Sequence, residues 1–180
     1  MHKLNIGIAG AGIGGLAAAS LLADQGHTIT IIDQFGTPEP VGSGLVIQPV
    51  GQAVLAQIGA LDLAMSRGNK ILHMLGHEAN NGRRILDVWY DRSTNNPERF
   101  GLAIHRASLF DALYQAALSR DITMVPSAIV TNRVGQSLLL KSGSLLGPFN
   151  LIIDSLGASS PLSPLKSRDL PYGAIWGTVN

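Results

Sequence analysis

The hexapeptide Gly10-Ala11-Gly12-Ile13-Gly14-Gly15 is the stretch of this chain whose residue types and spacing point most directly to chemistry. It has the pattern G-x-G-x-x-G and lies between an apolar run, Leu4 to Ala9, and a segment that places Ile13, Leu16, Ala17 and Leu21 at helical spacing. In that setting each glycine has a mechanical task. Gly10 permits a tight turn, Gly12 lets a diphosphate approach the backbone, and Gly15 allows the helix to pack closely on a sheet. The helix start then offers the anion amides that lack intrahelical partners. Asp33 follows Gly15 by 18 residues and closes a second extended run, where a carboxylate can accept hydrogen bonds from an adenosine ribose. Ala11, Ile13 and Gly14 within the loop, and Gln34 beside the acid, complete this group of candidate cofactor contacts. Strand, loop, helix, second strand and terminal acid in register indicate a dinucleotide; the motif alone does not choose between NAD and FAD.

Other groupings carry less. His73 and His77 with Glu78 lack a third ligand at metal-site spacing, and helical H-E-x-x-H is absent, so a polar strand face is the simpler reading. Ser155 and Ser159 flank Gly157 without forming G-x-S-x-G, which argues against a hydrolase elbow. Trp89 and Trp176 read as packing residues, and Arg83-Arg84 as a solvated pair beside a turn. No catalytic residue and no metal ligand is assigned.

The elements that must hold these residues can be read from periodicity and punctuation. Leu4 to Ala9, a helix from about Ile13 to Gln25, a stop at Gly26 and the strand Thr28 to Asp33 form a βαβ unit. Phe35 to Gly44 is a Gly/Pro loop, and Pro49 opens a second helix whose apolar face is Val50, Val54, Leu55 and Ile58, ended by Gly59. Ile71 to Glu78 and Arg84 to Tyr90 bracket Asn81-Gly82 as a hairpin. Leu102 to His105 is extended and leads to a helix starting near Ser108. There Ser108 and Asp111 have capping-box spacing, and Leu109, Leu113, Ala116 and Ala117 form the apolar face. Ile122 to Val125 and Ile129 to Val134 are extended, Leu138 to Leu146 forms a second hairpin, and the apolar run Leu151 to Ile153 suits the middle of a covered parallel sheet. The fold class is therefore α/β: a Rossmann-like parallel sheet with flanking helices and inserted β-hairpins.

Composition bounds the function. The 180 residues carry 13 Lys plus Arg against 12 Asp plus Glu, a formal net charge of +1, which supplies no field for gathering nucleic acid. With no Cys there is neither a disulfide framework nor a thiolate site. The uncharged opening, Leu4 to Ala23, superficially resembles a signal peptide, but five glycines interrupt it and its reading as strand, turn and helix implies no transmembrane segment and a cytoplasmic location.

Beyond the βαβ unit the sequence resembles the FAD-dependent aromatic-hydroxylase type of monooxygenase, the single-component group related to para-hydroxybenzoate hydroxylase. Four stretches in the family's order carry the resemblance: the Gly10 to Gly15 loop with Asp33, the run Gly42 to Pro49, Ile104 to Leu109, and Phe149 to Ser160. The resemblance implies that Arg106, just before a helix, reaches the phosphate region of FAD. It implies that Gly42, Ser43 and Gly44 run beside the flavin with Gln48 beyond them, and that the backbone of Val130 lies near the adenine. Asp154-Ser155-Leu156-Gly157 stands where the family has Gly-Ala-Asp-Gly. Gly157 is retained as a cofactor contact, but Leu156 takes the aspartate's place and Asp154 is the nearest substitute acid. The family's chemistry implies NADH or NADPH as electron donor, dioxygen, and a small aromatic substrate.

The family is considerably longer, and on that pattern residues 1–158 form the FAD-binding domain, 159–171 a Ser/Pro-rich linker, and 172–180 the opening of a truncated substrate-domain sheet. Such a chain is expected to bind FAD with little or no turnover, and its uncovered apolar sheet surface is compatible with a homo-oligomer. An NAD-dependent dehydrogenase domain and a non-catalytic nucleotide-binding module remain as alternatives.

Overall fold

The computed structural model describes residues 2–36, 43–90, 99–165, 168 and 170–173. Its centre is a four-stranded parallel sheet built from β1 (Asn5–Ala9), β2 (Thr28–Ile32), β8 (Ile122–Val125) and β12 (Leu151–Asp154), in the order β12-β1-β2-β8. Helix α1 (Ile13–Asp24) makes the crossover between β1 and β2, whose register pairs Ile6 with Ile29 and Ile8 with Ile31. These four isoleucines point to one face and are buried under α1 and α4 (Arg106–Leu118). Each such burial is worth about 2 kcal/mol relative to exposure. Leu109, Leu113, Ala116 and Ala117 of α4 are all buried, as their spacing predicts. On α1 the buried line is Gly15, Leu16, Ala19 and Ser20, because the helix is apolar nearly all round and is gripped by both the sheet and α4.

The opposite face of the sheet is covered by a three-stranded antiparallel sheet of β9 (Val130–Val134), β10 (Ser137–Leu140) and β11 (Leu145–Leu146). Phe149 lies flat against Gly7, where any Cβ would come within 2.6 Å of its ring. A second antiparallel sheet joins β3 (Gly44–Ile47), β7 (Gly101–His105) and β4 (Gly68–Ile71) in the order β3-β7-β4. Two short helices, α2 (Pro49–Gln57) and α3 (Leu61–Ser66), connect β3 to β4. A two-stranded hairpin, β5 (His73–His77) with β6 (Arg84–Trp89), stands apart. Gly26, Gly59 and Gly82 have positive φ at the ends of α1, α2 and within the hairpin turn, where the sequence places its stops.

Four details differ from the sequence expectations. The run from Ile71 divides, since Gly68–Ile71 pairs with β7 and the hairpin strand begins only at His73. Gly44, read as the end of the Gly/Pro loop, begins a strand that pairs with β7. No capping box forms at Ser108, because α4 already starts at Arg106, and Asp111 instead binds Arg67 and Gln115, with Arg67 holding its carboxyl below the usual carboxylate range. Finally, β12 is an edge strand among the described residues and pairs with β1 alone, so Leu151 is 44% exposed. An unbroken apolar run records burial on the two faces of a strand but says nothing about whether both of its edges are paired. The expected opening of a substrate-domain sheet at 172–180 lies almost wholly outside the described residues.

Candidate dinucleotide site

The parallel sheet sets the location. From β1 the chain crosses to β2 on one side, while β12 arrives on the other, so the loops after β1 and β12 diverge and leave a crevice at the carboxyl end of the strands. A cleft of about 430 Å³ occupies this point, within the range for small-molecule sites.

Its floor is the glycine loop. Gly10 takes φ +103°, and a Cβ there would meet the Ser155 carbonyl oxygen at 2.5 Å, so both conformation and space demand glycine. Gly15 packs α1 against the loop so tightly that a Cβ would lie 2.0 Å from the Gly10 carbonyl oxygen. Gly12 differs. Its φ of −72° suits any residue, and a Cβ there meets nothing of the protein within 4 Å. Nothing internal to the chain calls for glycine at this position. It is the N-cap of α1 and makes no side-chain cap, so the helix start is bare toward open space. That is the cradle a diphosphate needs.

Asp33 ties the cleft together before any ligand arrives. Its Oδ2 accepts the Ala11 N–H at 2.7 Å and its Oδ1 accepts the Phe35 N–H at 2.9 Å. An ionised carboxylate has about four lone-pair positions, so two acceptor positions remain for ribose hydroxyls. The Asp33 backbone carbonyl accepts the Ala128 N–H, and that of Phe35 accepts the N–H of Ser127, which brings Val130 to the same wall. Arg106, the first residue of α4, is exposed on the opposite wall. No acid among the described residues pairs with it, so its guanidinium remains available to a phosphate.

Gly10, Ala11, Gly12, Ile13, Asp33, Gln34, Arg106, Val130 and Gly157 thus line one cleft. Gly14, Gly15, Gly44 and Gln48 lie outside its lining. Gly14 and Gly15 belong to the first turn of α1, Gly44 begins β3 opposite His105, and the Gln48 side chain donates to the Tyr90 hydroxyl at 2.9 Å. Gly42 lies outside the described residues. Leu156 lines the cleft and packs on the core beneath β9 to β11. Asp154 does not take its place: its carboxylate accepts the Leu156 N–H and the Ser160 hydroxyl and so braces the turn after β12. The lining residues that sequence reasoning did not assign to the cofactor are Phe35, Phe110, Ala128, Ile129, Ser155, Leu156, Ser159 and Pro161. Most come from turns that only the packed sheet brings together, and no local pattern marks them.

His73 stacks on Trp89 with ring centroids 3.8 Å apart, and its Nε2 lies 2.7 Å from Asp87, whose carboxyl is lowered by that hydrogen bond and by nearby Arg84. No group of three potential ligands gathers among the described residues.

Residues 3–125 match the protein family described as FAD binding domain. Among curated relatives, the chain is 37% identical over 177 residues to the FAD-dependent monooxygenase atnJ of Arthrinium sp, covering 96% of this chain and 39% of that protein. It is 30% identical over 121 residues to hispidin-3-hydroxylase of Neonothopanus nambi, covering 65% of this chain and 27% of the relative. Against 3-hydroxybenzoate 6-hydroxylase of Klebsiella oxytoca it is 27% identical over 115 residues, covering 62% and 28%. The chain therefore spans about two fifths or less of the length of these relatives. In fold it is similar to a crystal structure of 2-methyl-3-hydroxypyridine-5-carboxylic acid oxygenase, with TM-score 0.74, 21% identity, and coverage of 90% of this chain and 42% of the other. It is also similar to CtdE in complex with FAD, with TM-score 0.67, 18% identity, and coverage of 89% and 40%. With the glycine cradle, the clamped acid and the unpaired arginine around one cleft, and the family match running through the whole βαβ unit, the chain belongs to the FAD binding domain family.

Proposed function

We propose that this chain is the FAD-holding part of a monooxygenase that hydroxylates a small aromatic substrate, with NADH or NADPH as electron donor and dioxygen as oxygen source. The observation that carries the reading is Gly12, a glycine with ordinary backbone angles and empty space around it at the bare start of α1. The amides of that turn would hold the diphosphate, the free acceptor positions of Asp33 the ribose, and Arg106 a phosphate oxygen from the facing wall. The bound flavin would supply the redox chemistry, while these residues bind and orient it. Relatives named for hydroxylating hispidin and 3-hydroxybenzoate support a phenol-like substrate. The small share of those relatives that the chain spans supports little or no turnover by the 180 residues alone. We place the protein in the cytoplasm; among the described residues, no helix is long and apolar enough to cross a membrane.

The test is whether FAD copurifies with, or titrates into, these 180 residues with the absorbance of a bound flavin. Gly12→Val should abolish that binding, because a branched side chain fills the diphosphate's seat. The fold should lose no more than about 1 kcal/mol, the scale of a poorer N-cap. Flavin content unchanged by Gly12→Val would refute the placement.

A second reading, a non-catalytic nucleotide-holding module, draws on Leu156, which puts an apolar side chain on the cleft wall. Any nicotinamide oxidation or peroxide release after loading with FAD would exclude the holding module.

A further inference from the structure

We infer that Ser155 is a phosphate-binding residue of this cleft, its hydroxyl donating to the diphosphate from beside the first turn of α1. The inference rests on the FAD reading above and adds to it a contact that the sequence pattern does not announce. Ser155 directly follows β12, and its backbone N–H is spent on the Ala9 carbonyl at 2.8 Å, which locks the residue beside the end of β1. Its position is fixed further by two glycines. The Ser155 carbonyl oxygen lies 2.5 Å from where a Cβ on Gly10 would stand, and its own Cβ lies 3.4 Å from where a Cβ on Gly15 would stand. Gly10 and Gly15 are the two ends of the glycine loop, so the Ser155 side chain sits against the first turn of α1.

The side chain is half-buried on the cleft wall, and its hydroxyl has no hydrogen-bond partner among the described residues. A hydroxyl can rotate to donate wherever an acceptor appears. Here the neighbouring helix start favours negative charge, which makes a phosphate oxygen the acceptor that fits. The residue before it, Asp154, already braces Leu156 and Ser160 and is withdrawn from the cleft. Ser155 is then a polar side chain that the turn after β12 offers to the loop-bound anion, next to the apolar Leu156.

The experiment is titration of the 180-residue chain and two variants with FAD, read by flavin fluorescence and by calorimetry. Ser155→Ala should weaken binding roughly tenfold, the scale of one hydrogen bond to a charged acceptor. Ser155→Cys keeps the volume but donates poorly, and should weaken binding to a similar degree. Wild-type affinity in Ser155→Ala would overturn the inference, as would loss in Ser155→Ala with full affinity in Ser155→Cys, which would show that packing and not donation matters. Failure of the wild-type chain to bind FAD at all would overturn the assignment of the cleft, and this contact with it.

Discussion

Two neighbouring glycines of the loop, Gly14 and Gly15, do different things in the fold. Gly15 is held by the protein itself: a methyl group 2.0 Å from the Gly10 carbonyl oxygen cannot be accommodated without moving α1 off the sheet. Gly15→Ala should therefore destabilise the chain by about 3 kcal/mol or more, in the class of severe overpacking, and lose FAD together with stability. Gly14 is helical, and a Cβ there meets nothing within 4 Å. Gly14→Ala should instead stabilise by about 0.5–1 kcal/mol, since alanine reduces the freedom of the unfolded chain and favours helix. Urea unfolding of the two variants measures both, and equal signs would contradict this division. Asp33 belongs to the same scale. Because it already clamps Ala11 and Phe35, it shapes the loop as well as offering acceptors to a ribose.

At the scale of elements, the end of the sheet opposite the cleft is fastened by Arg120. Its guanidinium binds both carboxylate oxygens of Asp24 at the end of α1, and donates to the carbonyls of Ala116 in α4 and Ile58 after α2. Three helices are thus pinned through one side chain that is only 16% exposed. Arg120→Ala should cost about 2–3 kcal/mol, from several charge-assisted bonds lost together. The Arg120 hydrogen bond holds the Asp24 carboxyl below its ordinary value of 3.8. A depressed folded-state pKa gives a stabilisation that is complete above the unfolded value and is lost as pH falls through the folded one. Asp24→Asn should accordingly cost about 1 kcal/mol at neutral pH, the scale of a well-formed exposed pair, and the gap from wild type should narrow as pH falls below the ordinary carboxyl value of 3.8. Thermal unfolding across that range checks it; a gap that is constant with pH would show that the pair contributes nothing through its charge.

For the molecule as a whole, the hairpin of β5 and β6 pairs with no other strand among the described residues. Leu75, Ile85, Leu86 and Val88 are 40–64% exposed on it, and a two-stranded sheet alone is marginal in water. An apolar surface with unpaired strand edges favours association. The chain should self-associate as its concentration rises. Leu75→Thr with Ile85→Thr should shift sedimentation toward the monomer without altering FAD affinity, because neither residue lines the cleft. A sedimentation coefficient independent of concentration in the wild type would refute the expectation.

Much of the site was legible from local pattern because its parts are near in sequence. The loop, the helix and Asp33 lie within one βαβ unit, and the requirements of a tight turn, a bare helix start and a strand-end acid are each expressed in residue types and short spacings. The stops at Gly26, Gly59 and Gly82 were readable for the same reason, since positive φ is a local demand. What needed the tertiary structure was everything decided by contact between distant segments. Residue types alone could not show that Gly12 has no internal reason to be glycine while Gly15 has a decisive one, that β12 would be left at an edge, or that Asp154 would be spent on its own turn. Nor could they show that Ser155, 145 residues from Gly10 in the chain, would stand against it. Such facts depend on which backbone approaches which, and that is settled only when the sheet is assembled.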